Sequence, residues 1–151
     1  MLPTLMGRIQ TRIFATLVIG GLWSLVIGRF LPGVDGAPQK LVYKAVFGLL
    51  FILTVLGVLW EVVYHGLMQF RWEKDWPTLF GLATMINEGL LVYYVAHHGV
   101  YKHWWFQYDV GIPRRTFLTA FVTTWIVVWL WVNGPMRIFT VHWRFRGGRL
   151  V

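Results

Sequence analysis

Four long apolar runs, separated by short polar or aromatic stretches, organise the chain. They cover about Ile13 to Leu31, Leu41 to Met68, Thr78 to His98 and Thr116 to Val132. Each is long enough for an α-helix to cross a bilayer core, which takes roughly 17–25 apolar residues. The few polar or small positions inside the runs recur at helical spacing. Gly20, Ser24 and Gly28 stand four apart in the first run. Thr54, Gly57, Glu61 and His65 form a stripe in the second, Gly81, Thr84 and Glu88 one in the third, and Thr116, Thr119 and Thr123 one in the fourth. Residues three or four apart share a helix face, and a face of small residues lets a second helix approach closely in lipid.

The breaks carry turn chemistry. Pro32-Gly33 ends the first run, and 34–39 reads as a short loop. Between the second and third runs, Arg71, Glu73, Lys74 and Asp75 alternate in sign between Trp72 and Trp76, which describes a tight turn at headgroup level. Asp75-Trp76-Pro77-Thr78 is a helix start. The segment from Gly99 to Pro113 holds Tyr101, Trp104, Trp105, Phe106 and Tyr108 and reads as interfacial. Asn133-Gly134-Pro135 closes the fourth run. The tail, 136–151, alternates Phe139, Val141, Trp143 and Phe145 with Thr140, His142, Arg144 and Arg146. That pattern is strand-like, yet its basic and aromatic character also suits adsorption onto anionic lipid. The expected fold is all-α. It is a single transmembrane domain over 1–151, a bundle of four transmembrane helices with an interfacial aromatic loop and a basic C-terminal tail.

Composition supports a membrane setting. Hydrophobic residues make up 57% of the chain and charged residues 13%, against about 45–50% and about 25% in soluble domains. So much apolar surface cannot be hidden inside a small globule. The first run follows Arg8 and Arg12 like a signal peptide, but it is long and Arg29-Phe30-Leu31-Pro32 replaces a small-residue cleavage site, so it reads as an uncleaved span. The absence of Cys excludes disulfides, thiolate chemistry and Cys-ligated metal centres.

The formal net charge of +8 points to membrane topology rather than nucleic acid, because the basic residues lie between apolar runs. With four spans the termini share a side. That side holds Arg8, Arg12, Arg71, Lys74, Arg137, Arg144, Arg146 and Arg149, against Arg29, Lys40, Lys44, Lys102, Arg114 and Arg115 on the other. Eight against six favours cytoplasmic termini. The four tail arginines, Arg137, Arg144, Arg146 and Arg149, are the expected contacts with anionic headgroups.

Glu61 and Glu88 are the acids inside the apolar runs. A carboxylate at mid-membrane costs roughly 2.5–3.5 kcal/mol on insertion scales, so it is turned inward and paired. Glu61 lies eight residues before Gln69 and Glu88 eleven after Pro77, so both sit roughly 12–17 Å from the shared turn. Glu61, His65, Asn87 and Glu88 are therefore expected to form one buried polar cluster. It either locks helix packing or serves function, as a proton or cation relay or as a metal or quinone contact. His97, His98 and His103 form a looser group, read as interfacial residues in preference to a metal site because few carboxylates lie near.

The stretch Gln69-Phe70-Arg71-Trp72-Glu73-Lys74-Asp75-Trp76-Pro77-Thr78-Leu79-Phe80, Asn87-Glu88-Gly89 after it, and Arg8-Ile9-Gln10-Thr11-Arg12 before the first run resemble a family of small uncharacterised bacterial multi-span membrane proteins. The resemblance implies a bacterial inner-membrane location and supplies no catalytic residue or cofactor. The expected function is a non-enzymatic subunit or scaffold in a homo-oligomer or larger membrane complex, in contact with lipid and not with nucleic acid. The alternatives are a small transporter coupled through Glu61 and Glu88, and a membrane metal or quinone protein.

Overall fold

The computed structural model describes residues 4–31, 38–70, 78–98 and 113–139, and every regular element among them is helical. Helix α1 (Leu5–Phe14) passes through a π-helical segment (Ala15–Gly20) into α2 (Gly21–Ile27). Then come α3 (Gln39–Gln69), α4 (Thr78–Val95), α5 (Arg114–Asn133) and the short α6 (Pro135–Phe139). Thr4 caps α1 by accepting a hydrogen bond from the Gly7 N–H at 3.2 Å. Pro38 and Pro113 immediately precede α3 and α5, where a missing N–H costs little.

Among the described residues, three helices are long and apolar enough to cross a membrane: Leu5–Ile27, Gln39–Met68 and Arg114–Ile138. The fourth expected span is helical over Thr78–Val95 but is not one of these three. At about 1.5 Å per residue, α3 is roughly 46 Å long, more than the ~30 Å hydrocarbon core it would cross. The first helix starts at Leu5 rather than near Ile13, because Arg8 and Arg12 lie inside the bundle and not in a loop. The break at Asn133-Gly134-Pro135 interrupts the last helix for one residue, and 135–139 is helical rather than extended. The Trp72–Trp76 turn, the aromatic loop and the rest of the tail lie outside the described residues.

Packing runs in a ring. The first helix contacts α3 and α5, and α4 contacts α3 and α5, so the first helix and α4 face each other across the centre. Gln39 Nε2 donates to the Gly28 carbonyl at 2.5 Å and Tyr43 Oη to the Leu25 carbonyl at 3.2 Å, tying the end of the first helix to the start of α3. The small-residue stripe faces inward. A Cβ on Gly20 would lie 2.9 Å from Leu50, and one on Gly28 would lie 2.7 Å from Tyr43. Ser24 is buried. On α5, Thr116 is buried and Thr123 accepts from Trp23 Nε1 at 3.1 Å, but Thr119 is exposed. Residues at spacings of three and four drift around a 3.6-residue helix, and that carries Thr119 off the inner face.

The two ends of the bundle differ. Val46, Leu49, Leu53, Val92, Phe117, Phe121 and Trp125 build one apolar core. Phe117 anchors it, with the Tyr93 ring edge-on at 5.1 Å and the Phe121 ring stacked at 5.8 Å. This core draws on the start of α3 and α5 and the end of α4. The opposite end holds the polar groups.

Candidate functional site: a cavity walled by two arginine–glutamate pairs

The first turns of α1 project Arg8 and Arg12 from one face, since they stand four apart. The second half of α3 supplies Glu61 and Tyr64, α4 supplies Gly81, Thr84 and Glu88, and the end of α5 supplies Trp125, Trp129 and Asn133. These residues, with Arg137 of α6, line a cavity of about 160 Å³. Arg8 Nε donates to Glu61 Oε2 at 2.7 Å, and the same guanidinium reaches Met68 Sδ. Arg12 Nη2 donates to Glu88 Oε2, which also accepts from Trp125 Nε1 at 3.4 Å. Glu88 is only 1% exposed, so the Arg12–Glu88 pair joins the first helix to α4 through the middle of the bundle.

A glycine makes room for this pair. A Cβ on Gly57 would sit 2.7 Å from Arg12 Nε, so the guanidinium rests directly on the backbone of α3. Three residues after Arg12 the π segment begins, and it contributes Thr16 to the cavity wall. π segments inside α-helices occur often at functional sites. Buried side-chain polar atoms with no hydrogen-bond partner among the described residues include Arg12 Nε, Thr16 Oγ1, Ser24 Oγ and Trp129 Nε1.

The expected cluster is thus partly assembled. Glu61 and Glu88 line one cavity, as their matched depths require, yet each faces an arginine and not the other acid. His65 is half-buried one turn beyond Glu61 and is not in the cavity wall. Asn87 is exposed, turned about 100° around α4 from Glu88, and is not in the cavity wall. A step of one residue turns a helix by about 100°, so neighbours in sequence cannot both face the centre. Arg8 and Arg12 are the partners that the loop-charge reading missed. The signal was present: the four-residue spacing of Gly28, Ser24 and Gly20 continues back through Thr16, Arg12 and Arg8.

His97 and His98 do not converge. Each donates through Nδ1 to the carbonyl one turn earlier, Tyr93 at 3.0 Å and Tyr94 at 3.2 Å, and stacks on that same tyrosine ring. His103 lies outside the described residues, as do Arg144, Arg146 and Arg149. Arg137 is exposed at the edge of the cavity. The described residues together define a helical bundle with three helices long and apolar enough to cross a membrane and a charged, polar cavity at one end. Compared with known proteins, the chain matches no family model, no curated protein and no solved structure.

Proposed function

We propose that this chain is a non-enzymatic membrane subunit with four spans, α4 being the fourth, that works within an assembly of its own copies in a bacterial inner membrane. Both termini are on the cytoplasmic side in this reading. One observation carries it: Asn87 is exposed on the outer face of α4, between Ile86 and Leu90, which are 62% and 67% exposed. An amide facing hydrocarbon leaves its hydrogen-bonding groups unmet, whereas across a helix–helix contact it acts as polar glue. Ala83, Asn87, Leu90 and Tyr94 are all exposed at spacings of four, three and four, the seam of a packed helix pair. Asn carries both donor and acceptor, so two copies satisfy each other across a two-fold axis.

The test uses the native lack of cysteine. Single-cysteine variants Ala83→Cys and Leu90→Cys should cross-link between copies in native membranes, while Leu59→Cys on the exposed side of α3 should not. Asn87→Leu should weaken self-association roughly three- to twentyfold, given about 0.6–1.7 kcal/mol per interhelical hydrogen bond. A particle that stays a single chain in mild detergent and in lipid nanodiscs would overturn the reading. The transporter and metal readings fit less well. Glu61 and Glu88 would have to release a proton or take a cation against an arginine already at hydrogen-bonding distance.

A further inference from the structure

The cavity is not accounted for by helix locking. A lock needs the two ion pairs and close packing around them, yet about 160 Å³ stands open beside the pairs. That is the size of a cavity known to admit a benzene ring, or about six heavy atoms. Its wall is cationic on balance: Arg8, Arg12 and Arg137 oppose Glu61 and Glu88, one formal positive charge in excess. Each arginine has five N–H donors, and the two glutamates and Met68 take only part of those on Arg8 and Arg12. The Trp129 indole N–H, which can only donate, lies in the same wall next to Gly81 with no partner among the described residues. So does the hydroxyl of Thr16, 1% exposed. Arg137 lies exposed on the same wall with no ion pair among the described residues. Donors and net charge therefore call for an acceptor that brings one negative charge.

We infer that this cavity binds a small, singly charged oxyanion, a carboxylate or a phosphodiester, with Trp129 donating to it from the wall and Arg137 guarding the entrance. The ion pairs hold Arg8 and Arg12 in place, so the site is preorganised and the anion displaces neither glutamate. The chemistry is shared by a short-chain carboxylate from solution and by the headgroup of an anionic lipid.

The two sources separate in one experiment on the purified full-length protein. In phosphatidylcholine nanodiscs at fixed ionic strength, the protein is titrated with butyrate, with butyramide as its neutral counterpart, and unfolding is followed by tryptophan fluorescence. In parallel, the discs are prepared with increasing phosphatidylglycerol. A saturable rise in Tm with butyrate identifies a solute site, and a rise with phosphatidylglycerol alone identifies a lipid site; either supports the inference. Trp129→Phe and Arg137→Gln should each weaken the effect about tenfold, as loss of a hydrogen bond to a charged group does. Arg137 is exposed, so its substitution leaves the fold intact even if Trp129→Phe does not. The inference fails if neither anion gives a saturable shift, if butyramide matches butyrate, or if Arg137→Gln binds like the parent protein.

Discussion

At the scale of single residues, the Arg12–Glu88 pair sets the energetics of the bundle. Both charges are withdrawn from water, and each is tolerable only because the other is there. Removing one partner strands a buried charge, so Arg12→Leu should cost about 3–5 kcal/mol, measured by denaturant titration in detergent. The double variant Arg12→Leu with Glu88→Leu should recover most of that loss, because two apolar side chains of similar length need no partner. A double variant whose loss equals the sum of the two single losses would mean that the pair carries no mutual stabilisation. The Arg8–Glu61 pair is wetter, with side chains 11% and 15% exposed, and Arg8→Leu should cost less than Arg12→Leu.

At the scale of elements, two glycines of α3 have opposite roles. Nothing lies within 4 Å of a Cβ placed on Gly66, whereas one on Gly57 meets the Arg12 guanidinium. Gly66→Ala should raise stability by roughly 0.5–1 kcal/mol through helix propensity alone. Gly57→Ala should lower it by about 1–3 kcal/mol, the usual cost of overpacking, because the guanidinium is pinned between α3 and Glu88. Equal effects from the two substitutions would refute this placement of Arg12. The π segment in the first helix has a related role. Inward residues spaced by four advance about 40° per step on a regular α-helix. Arg8, Arg12, Thr16, Gly20, Ser24 and Gly28 would spiral off the interior over that length. Wider turns over Ala15–Gly20 hold the drift back, which keeps the arginines and the small residues of one helix on the same side.

At the scale of the whole molecule, the bundle is polarised: an apolar plug around Phe117 and Phe121 at one end, the charged cavity at the other. This changes the topology argument. Arg8 and Arg12 are committed to Glu61 and Glu88 inside the bundle, so they leave the loop-charge count and the two sides hold six basic residues each. The proposed orientation then rests on Arg137, at the end of the last span, and on Arg144, Arg146 and Arg149 after it in the sequence. A fluorescent protein fused after Val151 should be bright in the cytoplasm, and alkaline phosphatase inserted at 34–36 should be active. The reverse pattern would place the cavity on the outer face.

Apolar runs, proline breaks and small-residue spacing determine a great deal without tertiary information. They require helices close to where α3, α4 and α5 lie, because burying backbone hydrogen bonds in an apolar setting leaves few other solutions. They also require Glu61 and Glu88 to turn inward, because exposing a carboxylate to hydrocarbon is costly. What they leave open is the identity of the partner. A charge near a helix start is written the same way in sequence whether it sits in a loop or reaches back into the bundle, and Arg8 and Arg12 do the second. Likewise Asn87 and Glu88 are adjacent in the chain, yet Glu88 is buried and Asn87 exposed, because facing is set by helix rotation against neighbours and not by polarity. Those choices depend on which helices become neighbours and how deep each one sits, and only the packed bundle decides them.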